Sequence, residues 1–72
     1  MSEYVAIYEQ SPTGWGAYCP DLPGLGVAGA ARDEVERLIG EAIELHVQSL
    51  REHGEPVPPP TSAVGMVAVS AA

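Results

Sequence analysis

The stretch RDEVERLIGEAIELHVQSLREH, Arg32 to His53, decides the fold. Val35, Leu38, Ile39, Ala42, Ile43, His46, Val47 and Leu50 recur at three- and four-residue spacing, which lines up one broad apolar face of an α-helix. Glu34, Arg37, Glu41, Glu44, Gln48 and Arg51 fall on the opposite side. Glu34 and Arg37, and Arg37 and Glu41, are neighbours on that side, and each such pair adds only a few tenths of a kcal/mol, roughly. Asp33 and Glu34 suit the positive N-terminal end of a helix, and Gly54 suits its stop. A helix with a single apolar face needs a surface to cover.

The residues before the helix supply that surface. Glu3 to Glu9 (EYVAIYE) is rich in Tyr, Val and Ile and reads as a strand. Ser11-Pro12-Thr13-Gly14 is a turn cluster, so Trp15 to Cys19 should return as its hairpin partner. Pro20-Asp21-Leu22-Pro23-Gly24 is not regular strand, because two prolines remove ladder donors. Leu25 to Ala30 reads as a short third strand. After the helix, residues 55–62 form a Pro-rich, extended connector, and Val64 to Ser70 (VGMVAVS) reads as a fourth strand. The expectation is one α+β domain over residues 1–72, of order β-β-β-α-β: a small, antiparallel-dominated sheet with one helix on one face.

One helix covers only one face of such a sheet. The first strand is apolar on both faces, with Val5 and Ile7 pointing one way and Tyr4, Ala6 and Tyr8 the other. Trp15 and Tyr18 take opposite faces of the second strand. A sheet facing water alternates apolar with polar residues, and this one does not. Its uncovered face reads as an interface; the competing reading is a wet edge that tyrosines tolerate through their polar tips.

Size and charge narrow the function. A chain of 72 residues makes one domain and buries only about 60% of its unfolded surface, so reinforcement is expected. The single Cys19 excludes an intrachain disulfide, and no Cys/His cluster offers a zinc site, which leaves self-association or a bound partner. Ten carboxylates stand against three basic residues, all arginine, for a net charge of −7. Direct nucleic-acid binding is therefore not expected. The acidity either draws a basic partner or keeps a small apolar domain soluble. No run of signal-peptide or membrane-span length is present, and a free cysteine suits a reducing compartment; a cytoplasmic location without membrane contact is expected.

Motifs for chemistry are weak. Gly24-Leu25-Gly26-Val27-Ala28-Gly29 fits GxGxxG, but about 20 residues onward the chain is still helical, where a dinucleotide fold needs a strand end. The glycines read instead as turn and close-packing residues, and no cofactor is expected. His46 and His53 stand seven residues apart, too far to chelate one metal unaided, and read as structural. Cys19 has no histidine near it in sequence and reads as a small buried hydrophobe. Strand centres are apolar and the carboxylates lie at strand ends, in the loop and on the helix, which argues against an enzyme.

Tyr4-Val5-Ala6-Ile7-Tyr8, a short turn, an aromatic strand, Pro20-Asp21-Leu22-Pro23-Gly24 and a glycine before the helix together resemble the HicB antitoxin family. The resemblance continues through Glu41-Ala42-Ile43-Glu44-Leu45-His46, Gly54 and Pro56-Val57-Pro58-Pro59-Pro60 into a last strand, covering about residues 3 to 70. It implies a partial, catalytically degenerate RNase-H-like fold that forms homo-oligomers, a dimer or a tetramer. It implies a binding role: stoichiometric neutralisation of a small, basic, mRNA-cleaving toxin of the HicA type. Family members often carry a C-terminal DNA-binding segment, absent from these 72 residues, so a stand-alone form is expected. Tyr4, Tyr8, Trp15 and Tyr18 are the expected aromatic anchors, with Leu22 in the loop beside them and Asp21 and Glu41 meeting toxin Arg or Lys. A homo-oligomeric structural domain with no toxin is the second reading, and a hydrolase with RNase-H-like chemistry the third. One local departure is Ala31, where the family usually has Thr or Ser as the helix cap.

Overall fold

A computed structural model of the chain describes residues 3–70. Strand β1 spans Ile7–Ser11, β2 Gly14–Tyr18 and β3 Gly26–Gly29, followed by helix α1, Arg32–Glu52. The three strands form one antiparallel sheet in the order β1-β2-β3, so the architecture is α+β with the order β-β-β-α.

The hairpin closes on the pair Ser11–Gly14 around Pro12-Thr13, and pairing runs back to Ile7–Tyr18. Gly14 is required there by crowding: a Cβ at that position would run into the carbonyl oxygen of Gly29 on the neighbouring segment. β1 begins at Ile7 and not at Glu3 because its partner ends at Tyr18. Beyond it the Leu22 N–H donates to the Cys19 carbonyl at 3.1 Å, turning the chain away through Pro20, which has no N–H to offer a ladder. β3 then returns with Trp15 opposite Gly29 and Tyr18 opposite Gly26.

This register sets Tyr8, Trp15, Ala17 and Val27 on the face toward α1, where Val35 and Ile39 are enclosed between helix and sheet. Burying those two side chains contributes about 1.5–3 kcal/mol each. Cys19 and Leu22 are buried as well, so Cys19 is the small apolar residue its setting suggested. The other sheet face carries Ile7, Gly16, Tyr18 and Ala28. Helix α1 lies over β2 and β3 and barely reaches β1.

Both helix ends follow the sequence closely. Ala31 occupies the cap with no side-chain bond, and Glu34 Oε1 accepts instead from the Ala30 N–H at 2.7 Å. Glu34 thus serves the backbone, not Arg37; Arg32–Glu36 and Arg37–Glu41 form exposed ion pairs one turn apart along the helix, each at 3.3 Å. At the other end Gly54 adopts φ 68°, its N–H donating to the Arg51 carbonyl while the Glu55 N–H donates to that of Leu50. This paired closure satisfies two carbonyls that the helix would otherwise leave open.

The expected fourth strand does not form. Val64, Met66, Val67 and Val69 are 72–100% exposed, and residues 63–70 pair with no strand among the described residues. A strand exists only through its ladder bonds. Residues 55–62 run past Tyr4 to Asp21, and the chain leaves the body beside the β2–β3 loop.

Candidate functional site

The residues expected to meet a partner fall into four places. Tyr8 and Trp15 lie on the helix side of the sheet, partly covered, with the Arg32 guanidinium 5.1 Å and 5.9 Å from their ring centres. That distance brings both rings within cation–π range of one arginine. Tyr18 is on the opposite face, 42% exposed. Glu41 is on the outer face of α1, exposed and paired with Arg37.

The fourth place is the most highly bonded polar cluster among the described residues. Asp21 Oδ2 accepts the backbone N–H groups of Thr61 and Ser62, each at 3.1 Å. Its Oδ1 accepts the Thr61 hydroxyl at 3.0 Å and the Ser62 hydroxyl at 2.9 Å. The Ser62 N–H is the largest influence holding the Asp21 carboxyl below its ordinary range; partial desolvation opposes it, and the two hydroxyls and the Thr61 N–H add to it. Nearby, the Tyr4 hydroxyl donates to the Pro58 carbonyl at 2.6 Å. Tyr4 and Asp21 therefore fasten the Pro-rich connector across one end of the sheet. Leu22, next to Asp21, is fully enclosed, so it shapes the loop from within.

Asp21 and Tyr4 were legible as candidates, but their partners Pro58, Thr61 and Ser62 were not. A carboxylate between two prolines and a Thr-Ser pair after a proline run are separate local signals. Nothing in their spacing says that they meet. Arg32 was likewise missed, although it stands at the start of the helix and faces Tyr8 and Trp15.

The GxGxxG string is divided between the loop and β3, with Gly26 to Gly29 inside the strand, so it forms no phosphate-cradling turn before a helix. His46 is half-buried on the helix, and His53 Nδ1 lies 2.7 Å from the Ser49 carbonyl one turn back. Among the described residues no three His, Cys, Asp or Glu side chains group closely enough to hold a metal ion, and no helix is long and apolar enough to cross a membrane. What this arrangement offers is surface: exposed carboxylates on α1, a shallow groove of about 330 Å³ along Ile43, Glu44, Val47, Gln48 and Arg51, and an uncovered sheet face.

Neither a curated protein nor a solved structure matches the chain. A family model described as the HicB-like antitoxin of a bacterial toxin–antitoxin system matches residues 4–71. That span takes in the hairpin, the Pro20–Gly24 loop, the helix, the fastened connector and the tail, and by it the chain belongs to the HicB-like antitoxin family.

Proposed function

We propose that this chain neutralises a small basic RNA-cleaving toxin of the HicA type by binding it stoichiometrically, without chemistry of its own. The observation that carries the reading is the family match over residues 4–71. The charge supports it: with a net charge of −7, the chain attracts a basic protein and speeds its encounter. Glu41 and Glu44 present carboxylates on the outer face of α1, and Tyr18 offers a large side chain with a polar tip on the uncovered sheet face. Asp21 and Leu22 act one step back. Their side chains are engaged within the chain and set the loop's shape, so a toxin would read the loop's backbone and its flanks.

The test is co-expression with a small basic protein encoded beside this chain, followed by size exclusion and an RNA-cleavage assay. The expected result is a co-eluting complex in which cleavage stops at a fixed molar ratio. Glu41→Arg combined with Glu44→Arg should then slow association and flatten its dependence on salt. Undiminished cleavage at a molar excess of this chain overturns the proposal and favours the homo-oligomeric structural domain without a toxin.

A further inference from the structure

We propose that the basic partner docks on the uncovered sheet face, and that the bare backbone at Gly16, between Glu9 and Tyr18, receives an arginine side chain of that partner. This rests on the neutralising role proposed above and names the contact that makes it. Glu9 stands directly across from Gly16, Ala28 flanks Gly16 on the other side, and Tyr18 follows on the same face of β2. Diagonal neighbours on one face of a sheet lie about 7–8 Å apart, within reach of long and aromatic side chains. Glu9 and Tyr18 therefore wall a narrow notch whose floor is the backbone of Gly16. Both walls are exposed.

The fold itself does not ask for a glycine there. Positive φ angles fall at Gly14, Gly24 and Gly54, not at Gly16. Beyond its chain neighbours, a Cβ at Gly16 would meet only the Val27 carbonyl oxygen, at 3.5 Å, an ordinary contact. Pairing runs unbroken through Glu9, Gly16 and Ala28, so the position is not a bulge. A glycine inside a central strand gives up strand propensity and packing. With strain, crowding and a bulge set aside, the remaining use of a bare strand position is close approach by a group from outside the chain.

The occupant follows from charge and from the opposite face. Glu9 is the only charged side chain that the three strands place on the uncovered face, and all three arginines of the chain lie on α1, across the sheet. Among the described residues the ion pairs are Arg32–Glu36 and Arg37–Glu41, which leaves Glu9 without a cation. On the helix side Arg32 lies 5.1 Å from the ring centre of Tyr8 and 5.9 Å from that of Trp15 while pairing with Glu36 at 3.3 Å. One face thus holds an arginine between aromatic rings and a carboxylate; on the other, Tyr18 and Glu9 offer the same chemistry to an arginine from outside. A flat guanidinium stacks on a ring and on bare peptide while its N–H groups donate to a carboxylate, which an ammonium does less well. Nucleic acid would bring phosphates to a face whose only charge is negative, and a second copy has two of its three arginines already paired.

The experiment uses the full chain and the small basic protein encoded beside it, with both rate constants read by surface plasmon resonance. Gly16→Val fills the notch and Glu9→Gln removes its charge; each should raise the dissociation rate roughly tenfold or more and leave association nearly unchanged. Gly16→Val should keep or raise the unfolding midpoint, since a β-branched residue suits a strand. Replacing the partner's arginines by lysine one at a time should reproduce the loss at one position, and a scan without effect overturns the proposal. In the unaltered complex the amide resonances of Gly16, Tyr18 and Ala28 should shift; unmoved resonances overturn it however the variants fold. A complex that stops RNA cleavage while both variants dissociate at the unaltered rate overturns this inference alone. Undiminished cleavage with no complex overturns it together with the neutralising role. A changed mass of the free chain in Gly16→Val, read by light scattering, would give the face to a second copy and overturns it as well.

Discussion

At the scale of single residues, Asp21 joins two parts of the chain that are 40 positions apart. All four bonds to it favour its ionised form, so its carboxyl sits lower than the ordinary 3.8, and lower folded than unfolded. Its contribution to stability is therefore complete above that ordinary value and is lost as pH falls through the depressed folded value. The fastening of Thr61 and Ser62 should hold unchanged from neutral pH down to the ordinary carboxylate range and release only below it. Amide exchange at Thr61 and Ser62, or proteolysis of the tail by an acid-active protease, reads this directly. Asp21→Asn exchanges one acceptor oxygen for an amide donor and removes the charge that strengthens each bond. In that variant the two amides should exchange faster at neutral pH, and the acid-dependent release should vanish; a release that persists would assign it to another carboxylate. Ala31 allows a second prediction. Ala31→Thr restores a cap hydroxyl, but the Glu34 N–H it would serve already donates to Asp33 Oδ1 at 3.0 Å. The gain should fall at the low end of the capping range, about 0.5–1 kcal/mol, seen as a higher unfolding midpoint. A lower midpoint would mean that the new side chain disturbs the Glu34 bond to Ala30.

At the scale of elements, two glycines separate crowding from propensity. Gly14→Ala forces the hairpin away from the carbonyl of Gly29 and should cost about 1–3 kcal/mol. Gly40 is exposed in the middle of α1 with open space where a Cβ would stand, so Gly40→Ala should stabilise by about 1 kcal/mol. Opposite shifts of the two unfolding midpoints check both. The same elements show what sequence periodicity reveals. The apolar spacing from Val35 to Leu50 and the Ser11–Gly14 turn act through local geometry, so helix and hairpin were legible almost to their ends. The start of β1 was not, because it depends on where its partner stops, which is set by the turn after Cys19. Val64–Ser70 has the composition of a strand but no ladder in this chain. Composition states a preference for extended backbone and is silent on the edge that satisfies it. The candidate site divides in the same way: Asp21 and Tyr4 were visible as residue types in a proline-flanked loop and a first strand, whereas Pro58, Thr61 and Ser62 reach them only through the path of the connector.

At the scale of the whole molecule, a small core works against a large charge of one sign. Among the described residues five apolar side chains are buried, while the 72-residue chain carries ten carboxylates and three arginines. Two of the arginines, Arg32 and Arg37, sit in exposed ion pairs along α1, which offset little of the repulsion. The remaining carboxylates repel one another across distances comparable to the screening length, so added salt should stabilise the fold at neutral pH. Raising sodium chloride from low millimolar to about 0.5 M should lift the midpoint by an amount on the order of 1 kcal/mol, or roughly 4–8 °C for a chain this small. Apolar burial also strengthens slightly in salt, and pH separates the two causes. Near the isoelectric point of about 4.4 the net charge vanishes, yet Asp21, held below its ordinary value, still fastens the connector. The fold is then intact without its self-repulsion, and the same addition of salt should raise the midpoint much less than at pH 7. Equal increments at the two pH values would assign the effect to apolar burial and remove charge repulsion as the limit on stability.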